Sequence, residues 1–409
     1  MNKEGATGES KPYTYHRANF AETVDKNRAK SRRARLVVIT CVVGLIVLIA
    51  GSVVLGVLLG QSKLRASGGA KNSTSGASSG PPSADTSVPD DASNFKADSR
   101  LHKAFYGMAY TPSGALPDYG CTSTLDHVVQ DIQLLSQLTS RIRLYAADCD
   151  QSALVLEAIK RTKVDMQVYL GNFVVATDDS AYTRQKATIK AAIEKYGTKN
   201  IAGVTVGNEF MLNYVLDNNL KTPDDPGAAA GATLLKSKIS DTRQMLSDMN
   251  LDKTIPVGTS DAGSYFNTEV LKSVDYALSN VHPWFANQTV QNGASWTRNF
   301  FDETNVQPAA LLSNKPKMYI AETGWPTKSL DAGNANNGGS DASEANLQVF
   351  LNTFVCKANT DGVPYFFFEF LDEEWKEKKY GGVEGFWGLF DKNYNLKKLT
   401  LPTCISDAS

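Results

Sequence analysis

Eight short apolar runs recur along the chain from residue 104 onward, separated by polar or amphipathic stretches. Runs of this kind are typical of strands buried on both faces of a parallel sheet. They cover residues 104–110, 141–147, 164–173, 201–209, 254–261, 274–284, 317–322 and 363–370. Eight strand–helix units over residues 104–409 predict an α/β fold, the (β/α)8 TIM barrel. A doubly wound open sheet is the alternative, but no G-x-G-x-x-G turn or P-loop follows the first run.

Three of the intervening stretches carry clear helix signals. Residues 123–138 hold apolar side chains at helical intervals, behind Ser123 and Asp126 in capping-box spacing. Residues 178–197 end at Gly197, and glycine is the residue type that most often follows a helix. Residues 342–359 form the third predicted helix. Helices between the apolar runs are what a barrel of parallel strands requires.

The first 103 residues have a different pattern. Residues 36–60 form an uncharged apolar run, longer than the roughly 20 residues that a membrane-spanning helix needs. Basic residues crowd the end of segment 1–35, so the positive-inside rule predicts a cytosolic tail and places the rest of the chain outside. Residues 61–103 are rich in Ser, Gly, Ala and Pro and predict a flexible stalk. A cleaved signal peptide is the alternative to this single-pass type II arrangement, but its apolar region would be shorter and closer to Met1.

Cysteines and sequons agree with an extracellular domain. Asn72 and Asn287 begin N-x-S/T sequons and are candidate glycosylation sites. Four cysteines lie beyond the apolar run, and two disulfides are expected among them: Cys121, Cys149, Cys356 and Cys404. Of three possible pairings we favour Cys121–Cys149 and Cys356–Cys404, because short loops close most easily. Free buried thiols are the alternative.

Charge and histidine content exclude other classes of ligand. The chain holds 42 Lys and Arg against 43 Asp and Glu, which gives no electrostatic reason to expect nucleic acid as a partner. The four histidines are scattered and no C-x-x-C pair occurs, so we expect no metal site. We also expect no organic cofactor.

Two of the apolar runs end in a glutamate. Glu209 follows VTVGN at the end of the fourth predicted strand, and Glu322 follows MYIA at the end of the seventh. Since catalytic groups of (β/α)8 barrels lie at the C-terminal strand ends, both carboxylates should face one mouth. Two such carboxyl groups, one protonated and one ionised, are what cleavage of a glycosidic bond requires. Structural, ion-paired glutamates are the alternative.

Aromatic side chains at or just after the same strand ends would suit a sugar substrate. Aromatic faces pack against the apolar C–H faces of pyranose rings. Core packing is the alternative for any single one of these side chains. Five are predicted to line the rim of the mouth: Tyr110, Tyr145, Trp284, Trp325 and Trp375.

Several sequence motifs surround the two glutamates and the aromatic residues. GNE ends at Glu209 and AETGWPT surrounds Glu322, accompanied by FYGMAYTP, RLYAADC, GTSDAGS, FFFEFLDEEWK and VEGFWGLFD. Over residues 104–404 this set resembles glycoside hydrolase family 17, and in particular its fungal, membrane-anchored cell-wall branch. Leu371 and Glu374 depart from the family pattern, which has Phe and Pro at these two positions.

The resemblance implies a glucan endo-1,3-β-glucosidase that cleaves internal bonds of cell-wall β-1,3-glucan with retention of configuration. Glu322 would be the nucleophile and Glu209 the general acid and base. Asn208 would hydrogen-bond the 2-hydroxyl of the reacting sugar. Tyr145 would contact the nucleophile and hold it ionised.

Further polar residues are placed around this pair. Glu373 and Lys376 would shape the glucan-binding cleft, although a solvated surface is the alternative for so charge-rich a loop. His282 is interpreted as a hydrogen-bonded rim residue. The remaining carboxylates near strand ends are interpreted as pairing or supporting groups: Asp148, Asp261 and Glu369.

Three other functions stay open at this point. A covalent intermediate resolved by a sugar instead of water would make the protein a β-1,3-glucanosyltransferase, and a non-catalytic glucan-binding wall module would need only the aromatic rim. A serine hydrolase is weaker, because VGTSDAG has Ala262 where a nucleophile elbow has glycine, and no catalytic His follows in the expected setting. We expect a monomer in the plasma membrane whose catalytic domain faces the cell wall.

Overall fold

The computed structural model describes residues 90–404, and its eight strands form a closed parallel barrel in chain order. Strand β1 pairs with β2 and, to close the barrel, with β8. The strands are β1 Gly107–Ala109, β2 Arg141–Arg143, β3 Gln167–Asn172, β4 Ile201–Asn208, β5 Val257–Ala262, β6 Tyr276–Asn280, β7 Lys317–Thr323 and β8 Tyr365–Phe367. Each predicted apolar run coincides with one strand, although β5 and β7 end one residue beyond their runs. The barrel prediction is therefore confirmed and the open sheet is wrong.

Helices occupy the connections between strands and follow the last one. Their apolar faces cover the outside of the barrel, where side chains such as Val128, Ile132 and Leu135 have no exposed surface. Within the described part of the chain they are α1 Leu125–Leu138, α2 Gln151–Thr162, α3 Asp179–Tyr196, α4 Phe210–Asp217, α5 Ala229–Asp248, α6 Thr268–Leu271, α7 Val290–Phe301, α8 Gln307–Ala310, α9 Glu344–Thr360 and α10 Glu374–Tyr380.

Two predicted helix ends can be compared with the structure. Helix α1 is capped by Thr124, whose hydroxyl accepts a hydrogen bond from the backbone of His127, so the predicted capping box at Ser123 is one residue too early. Helix α3 ends as predicted at Gly197, which has a positive φ of 72° and donates its N–H to the carbonyl of Ile193.

Aromatic rings fill the barrel interior near the starts of the strands. Neighbouring ring centroids there lie 5.3–6.4 Å apart, among Tyr106, Tyr169, Tyr276, Tyr319 and Phe366. Gly258 makes room for this packing, because a Cβ at that position would come within 2.3 Å of the Tyr276 ring. The interior is therefore a packed core, and the polar groups described below occupy the opposite, C-terminal end.

Tyr110 belongs to the core and not to the rim, where sequence analysis placed it. Its side chain is 1 % exposed, and its hydroxyl donates a 2.6 Å hydrogen bond to Asp131 of α1. Its ring also packs edge-on against Phe370, with the centroids 5.9 Å apart. Because the ring is buried among these partners, no face of it is left for a sugar.

Both favoured disulfides are present. Cys121–Cys149 joins the connections that follow β1 and β2, and Cys356–Cys404 joins α9 to the C-terminal segment. The alternative of free thiols is wrong for these four residues.

The N-terminal predictions fall mostly outside the described residues. The tail 1–35, the apolar run 36–60, the stalk up to residue 89 and Asn72 all lie there, so the proposed domain bounds stay predictions. The end of the predicted stalk is not free, because the N–H of Ala92 donates to the carbonyl of Arg161 and Leu101 is 8 % exposed. Between residues 90 and 404, no helix has the length and apolar character needed to cross a membrane.

Asp131 should make the stability of the fold depend on pH. Burial raises the pKa of this carboxyl to about 7, although hydrogen bonds from Tyr110 and Tyr394 favour the charged form. Because the folded state holds the proton more tightly than the unfolded chain does, this stabilisation is complete below about pH 4 and is lost as pH rises through 7. We expect the free energy of unfolding, measured by urea denaturation, to fall less between about pH 4 and 7 in Asp131→Asn than in the unchanged protein.

The control for this measurement is Asp118→Asn, since Asp118 is exposed on the connection after β1. That variant should keep the pH dependence of the unchanged protein. Equal slopes for Asp131→Asn and the unchanged protein would contradict the prediction.

Candidate active site

The C-terminal ends of four strands bring polar side chains together at the mouth of the barrel. Arg143 and Asn280 are the last residues of β2 and β6, and Glu322 lies at the end of β7. Glu209 directly follows β4. The two glutamates singled out from the sequence therefore lie in one site, as predicted from their positions at strand ends.

Glu322 is a buried carboxylate held by two donors. One carboxylate oxygen, Oε1, lies 2.8 Å from Nη1 of Arg143, and Oε2 lies 3.1 Å from Nε2 of His282. Burial by itself would raise the pKa of Glu322, but the hydrogen bond from His282 and the charge of Arg143 lower it to about 2. The carboxyl is therefore ionised at any physiological pH.

Glu209 has the opposite electrostatic environment. Burial raises the pKa of its carboxyl, and the negative charge of Glu322 raises it further. Among the described side chains, the carboxyl of Glu209 has one hydrogen-bond donor, Asn280, whose Nδ2 lies 3.0 Å from Oε1. Asn280 also pairs in register with Glu322 between β6 and β7, so it places the two carboxyl groups relative to each other.

The carboxyl of Glu209 is not used for helix capping, although the residue lies at the start of α4. This residue has φ 54°, in the left-handed region, and occupies the N-cap of α4 without capping it through its side chain. Asp261 of β5 caps the helix instead, accepting hydrogen bonds from the N–H groups of Met211 and Leu212 at 2.8 and 3.2 Å. A residue at the N-cap would normally use its own oxygen for this purpose. The supporting role predicted for Asp261 is thus helix capping.

Arg143 connects the parts of the site, and sequence analysis missed it. Its side chain has no exposed surface, and Nη2 lies 2.5 Å from Oδ1 of Asn208 and 2.9 Å from Oγ of Ser260, in addition to the Glu322 contact. An arginine inside the apolar run RIRLYAA was the available signal. A buried guanidinium is stable only with charged or polar partners, so partners at neighbouring strand ends were to be expected.

Asn208 and Ser260 are both engaged by this guanidinium. Since arginine only donates, the Asn208 oxygen must face it, which leaves Nδ2 as the donor available to a ligand. The Ser260 hydroxyl is buried between Arg143 and the same Asn208 oxygen. These contacts include no general base, so the serine hydrolase hypothesis is wrong.

Tyr145 lies in the site but does not make the predicted contact. The guanidinium of Arg143 lies 4.1 Å from the centroid of its ring. Its buried hydroxyl has no hydrogen-bond partner among residues 90–404, so the contacts that hold Glu322 ionised come from Arg143 and His282. Burial and the charge of Glu322 raise the pKa of Tyr145 well above its usual value. An unpaired buried hydroxyl beside the carboxylate is suited to a ligand hydroxyl.

The aromatic rim differs from the prediction. Trp284 and Trp325 are 5 % and 0 % exposed and pack edge-on against each other, with the indole N–H of Trp325 bound to the carbonyl of Asp341. Both are therefore core residues. The next residue, Phe285, is 43 % exposed, and its ring centroid lies 5.7 Å from that of His282. Phe285 is the rim residue of this connection, and sequence analysis missed it.

A buried ionic cluster flanks the site after β8. Nζ of Lys376 lies 2.6 Å from Glu369 and 3.3 Å from Glu373, and 4.4 Å from the centroid of the Phe368 ring. Burial lowers the pKa of Lys376, but the two carboxylates raise it more. Glu369 thus pairs with a cation as interpreted, and the solvated-surface alternative for Glu373 and Lys376 is wrong. Phe368 packs edge-on against His282, so the cluster supports the histidine that binds Glu322.

The remaining candidates lie at the edges of the site. Trp375 is half-buried, and its indole N–H donates to Glu373. Asn287 is exposed, two residues after the rim residue Phe285. Asp148 pairs with Arg184 at 2.7 Å and takes no part in the polar network at the mouth. Sequence analysis also missed Glu384, whose pKa is raised by burial and by the charge of Glu322.

The comparison with protein families agrees with this geometry. A family model described as the BtgE/BtgC glycoside hydrolase domain matches residues 107–388, a range that runs from β1 past β8 and contains both glutamates. The chain belongs to the BtgE/BtgC glycoside hydrolase family.

Individual relatives cover the same region. The "Probable glucan endo-1,3-beta-glucosidase btgC" of Aspergillus flavus is 34 % identical over 318 residues, which are 74 % of this chain and 44 % of the relative. The "Glucan endo-1,3-beta-glucosidase btgC" of Emericella nidulans is 32 % identical over 337 residues, covering 77 % of this chain and 48 % of the relative. The match thus spans about half the length of these curated relatives.

A solved structure shares the fold. The glycoside hydrolase family 17 β-1,3-glucanosyltransferase from Rhizomucor miehei superposes with a TM-score of 0.58 at 23 % identity, over 74 % of this chain and 98 % of that one. An active-site mutant of the same enzyme, with the same scores, was solved in complex with laminaritriose.

The backbone at Glu209 gives a prediction about stability. A side chain with a Cβ in the left-handed region costs about 1–2 kcal/mol, a cost that glycine does not have. Since glycine also gives the unfolded chain more freedom, we expect Glu209→Gly to be more stable than Glu209→Ala by about 1 kcal/mol. Chemical denaturation of the two variants measures this difference. An alanine variant equal to or more stable than the glycine variant would contradict it.

Proposed function

We propose that the chain is a glucan endo-1,3-β-glucosidase that cleaves internal β-1,3-glucosidic bonds by a retaining double displacement, with Glu322 as nucleophile and Glu209 as general acid and base. One observation carries this proposal. Two carboxyl groups in the same mouth have pKa values moved in opposite directions, one to about 2 and one above its usual value. Glycosidic cleavage requires this division between an ionised group and a protonated one.

In the first step the ionised Glu322 attacks the anomeric carbon of the bound sugar. The bond between that carbon and the glycosidic oxygen breaks, and Glu209 donates its proton to the leaving oxygen. A sugar is then attached to Glu322 as an ester. Asn280 helps this step because it hydrogen-bonds Glu209 and holds the acid near the nucleophile.

In the second step Glu209 acts as the base. Once Glu322 is esterified its negative charge is gone, and that charge is one of the two causes that raise the pKa of Glu209. The pKa of Glu209 therefore falls after the first step, when the residue must accept a proton from the incoming water. Water attacks the anomeric carbon, the ester bond breaks, and Glu322 returns to its ionised form.

The surrounding residues suit a glucan chain. The free Nδ2 donor of Asn208 lies beside Glu209 in the chain and suits the 2-hydroxyl of the reacting sugar, while the unpaired hydroxyl of Tyr145 is a second polar contact. The exposed ring of Phe285 offers an apolar face to a pyranose. Glu373 and Lys376 border the cleft from the β8 side.

The substrate class is supported by the names of relatives. The Aspergillus and Emericella proteins are named as glucan endo-1,3-β-glucosidases, and the Rhizomucor enzyme was solved with laminaritriose, a β-1,3-glucan fragment. The Rhizomucor enzyme is named as a transferase, and transfer differs from hydrolysis only in the acceptor of the second step. Transglycosylation is therefore an outcome that the product analysis below must distinguish.

We extend the proposal to the location of the protein. The apolar run 36–60, preceded by basic residues, supports a type II anchor in the plasma membrane and membership of the membrane-anchored branch of family 17. The catalytic domain would act outside the cell as a monomer on wall glucan. The exposed sequon at Asn287 supports glycosylation there, and Asn72 is proposed from its sequence alone.

Product analysis tests the proposed reaction. We expect the purified full-length chain to cleave reduced β-1,3-gluco-oligosaccharides internally and to release first the β-anomer, as followed by mass spectrometry and ¹H NMR. Glu209→Gln should lower kcat by about 10²–10⁴-fold because the leaving oxygen then receives no proton, and Glu322→Gln should lower it at least as much. A matched control is Glu303→Gln, which removes a glutamate from the exposed surface of the connection after α7.

The outcomes separate the candidate functions. Shorter products alone indicate an endo-glucanase, and products longer than the substrate indicate a transferase. An α-anomer as the first product would overturn the retaining mechanism. Absence of turnover by the unchanged protein, with binding of intact chains, would favour the glucan-binding module.

The two carboxyl groups also determine the pH dependence. Activity needs Glu322 ionised and Glu209 protonated. The ratio kcat/KM should therefore show no acid limb down to about pH 3 and should fall as pH rises through the raised pKa of Glu209. His282→Ala removes the hydrogen bond on Glu322 and should move an acid limb into the measurable range, with a smaller effect on the alkaline limb. Profiles from pH 3 to 8 on laminarin test this, and an acid limb near pH 4.5 in the unchanged protein would contradict it.

A further inference from the structure

The most exposed large apolar side chains of the described residues are concentrated at one end of the barrel. Five of the six lie on connections that follow the C-terminal ends of strands, and only Leu311 lies at the opposite end, before β7. The six are Tyr119, Val175, Phe285, Leu311, Leu330 and Tyr380. Clustered exposed apolar surface marks interaction sites more often than single exposed residues do.

Two of these exposed side chains, Tyr380 and Leu330, form a surface around α10 together with the half-buried Trp375. The rings of Trp375 and Tyr380, at the two ends of this helix, lie 6.1 Å apart, and Tyr380 is 52 % exposed. The N–H of Leu330 donates to the carbonyl of Gly382, which keeps this 50 % exposed side chain beside the end of the helix. We refer to Trp375, Tyr380 and Leu330 as the α10 platform.

The α10 platform is continuous with the candidate active site. The indole N–H of Trp375 donates to Glu373, which lies 3.3 Å from Lys376. Lys376 packs over Phe368, and the Phe368 ring lies 5.2 Å from that of His282. Since His282 binds the carboxylate of Glu322, a chain of direct contacts leads from the platform to the reacting group.

The lysines around the α10 platform contact aromatic rings or a carboxylate. Nζ of Lys379 lies 5.9 Å from the centroid of the Trp375 ring and 5.4 Å from that of Tyr380, so one cation holds the two rings together. Lys378 and Lys392 pair with Glu374 on the same helix. The exposed Tyr380 supplies an apolar face with a hydroxyl at its edge, which suits a neutral sugar ring.

We propose that the α10 platform binds sugar units of a β-1,3-glucan chain beyond the reacting sugar and thereby gives the enzyme its preference for long chains. The proposal rests on the proposed function. It assigns a second contact region to the same substrate, because a chain that leaves the reacting site on the β8 side meets Trp375 and Tyr380 next. A short oligosaccharide does not reach this region.

Chain-length dependence tests the platform. The full-length protein and the variants Tyr380→Ala and Tyr380→Phe are compared on a β-1,3-linked trisaccharide, a hexasaccharide and laminarin. We expect Tyr380→Ala to lower kcat/KM about three- to tenfold on the two longer substrates, with little change on the trisaccharide, because only the longer chains reach the ring. Tyr380→Phe keeps the aromatic face and should retain most of the activity.

Leu311→Ala is the control, since it removes an apolar side chain that is even more exposed, 88 % against 52 % for Tyr380, at the opposite end of the barrel. It should leave kcat/KM unchanged on all three substrates. An equal loss on every chain length in Tyr380→Ala, or no loss on laminarin, would overturn the platform while leaving the proposed function intact. Absence of cleavage of all three substrates by the unchanged protein would overturn both.

Discussion

The buried guanidinium of Arg143 is the interaction on which the site depends. Removing a charged group from water is costly, and the cost is offset only when all its partners are in place. Its partners come from three other strands: Asn208 of β4, Ser260 of β5 and Glu322 of β7. The closed barrel brings these strand ends within reach of β2. The same closure therefore places Arg143 against Glu322 and favours the ionised form of that carboxyl.

Three chemically similar carboxyl groups near Arg143 have different environments. Hydrogen bonds and the charge of Arg143 lower the pKa of Glu322, whereas burial and the negative charge of Glu322 raise the pKa of Glu209. Asp261 takes over the capping of α4, which would otherwise occupy the oxygen of Glu209. Environment thus distinguishes the proposed acid, the proposed nucleophile and the structural group, because the side chains themselves differ by no more than one methylene.

Much of this organisation could be predicted from the sequence, and the limits have physical causes. Apolar runs report burial directly, so all eight strands and the positions of both glutamates followed from the pattern. Which aromatic side chain is exposed depends on packing between distant elements, and Trp284 and Phe285 are adjacent yet have opposite environments. The partners of Arg143 were not identifiable for the same reason, since they lie on strands far apart in the chain.

The aromatic packing inside the barrel has a consequence for how a polymer meets the protein. Rings such as Tyr169 and Tyr276 fill the interior below the polar groups, so the barrel has no passage through which a chain could thread. A glucan at the proposed site must lie across the mouth, with both of its ends free to continue in either direction. On the proposed function, the protein would engage a glucan strand anywhere along its length, including one whose ends are fixed within a cross-linked network.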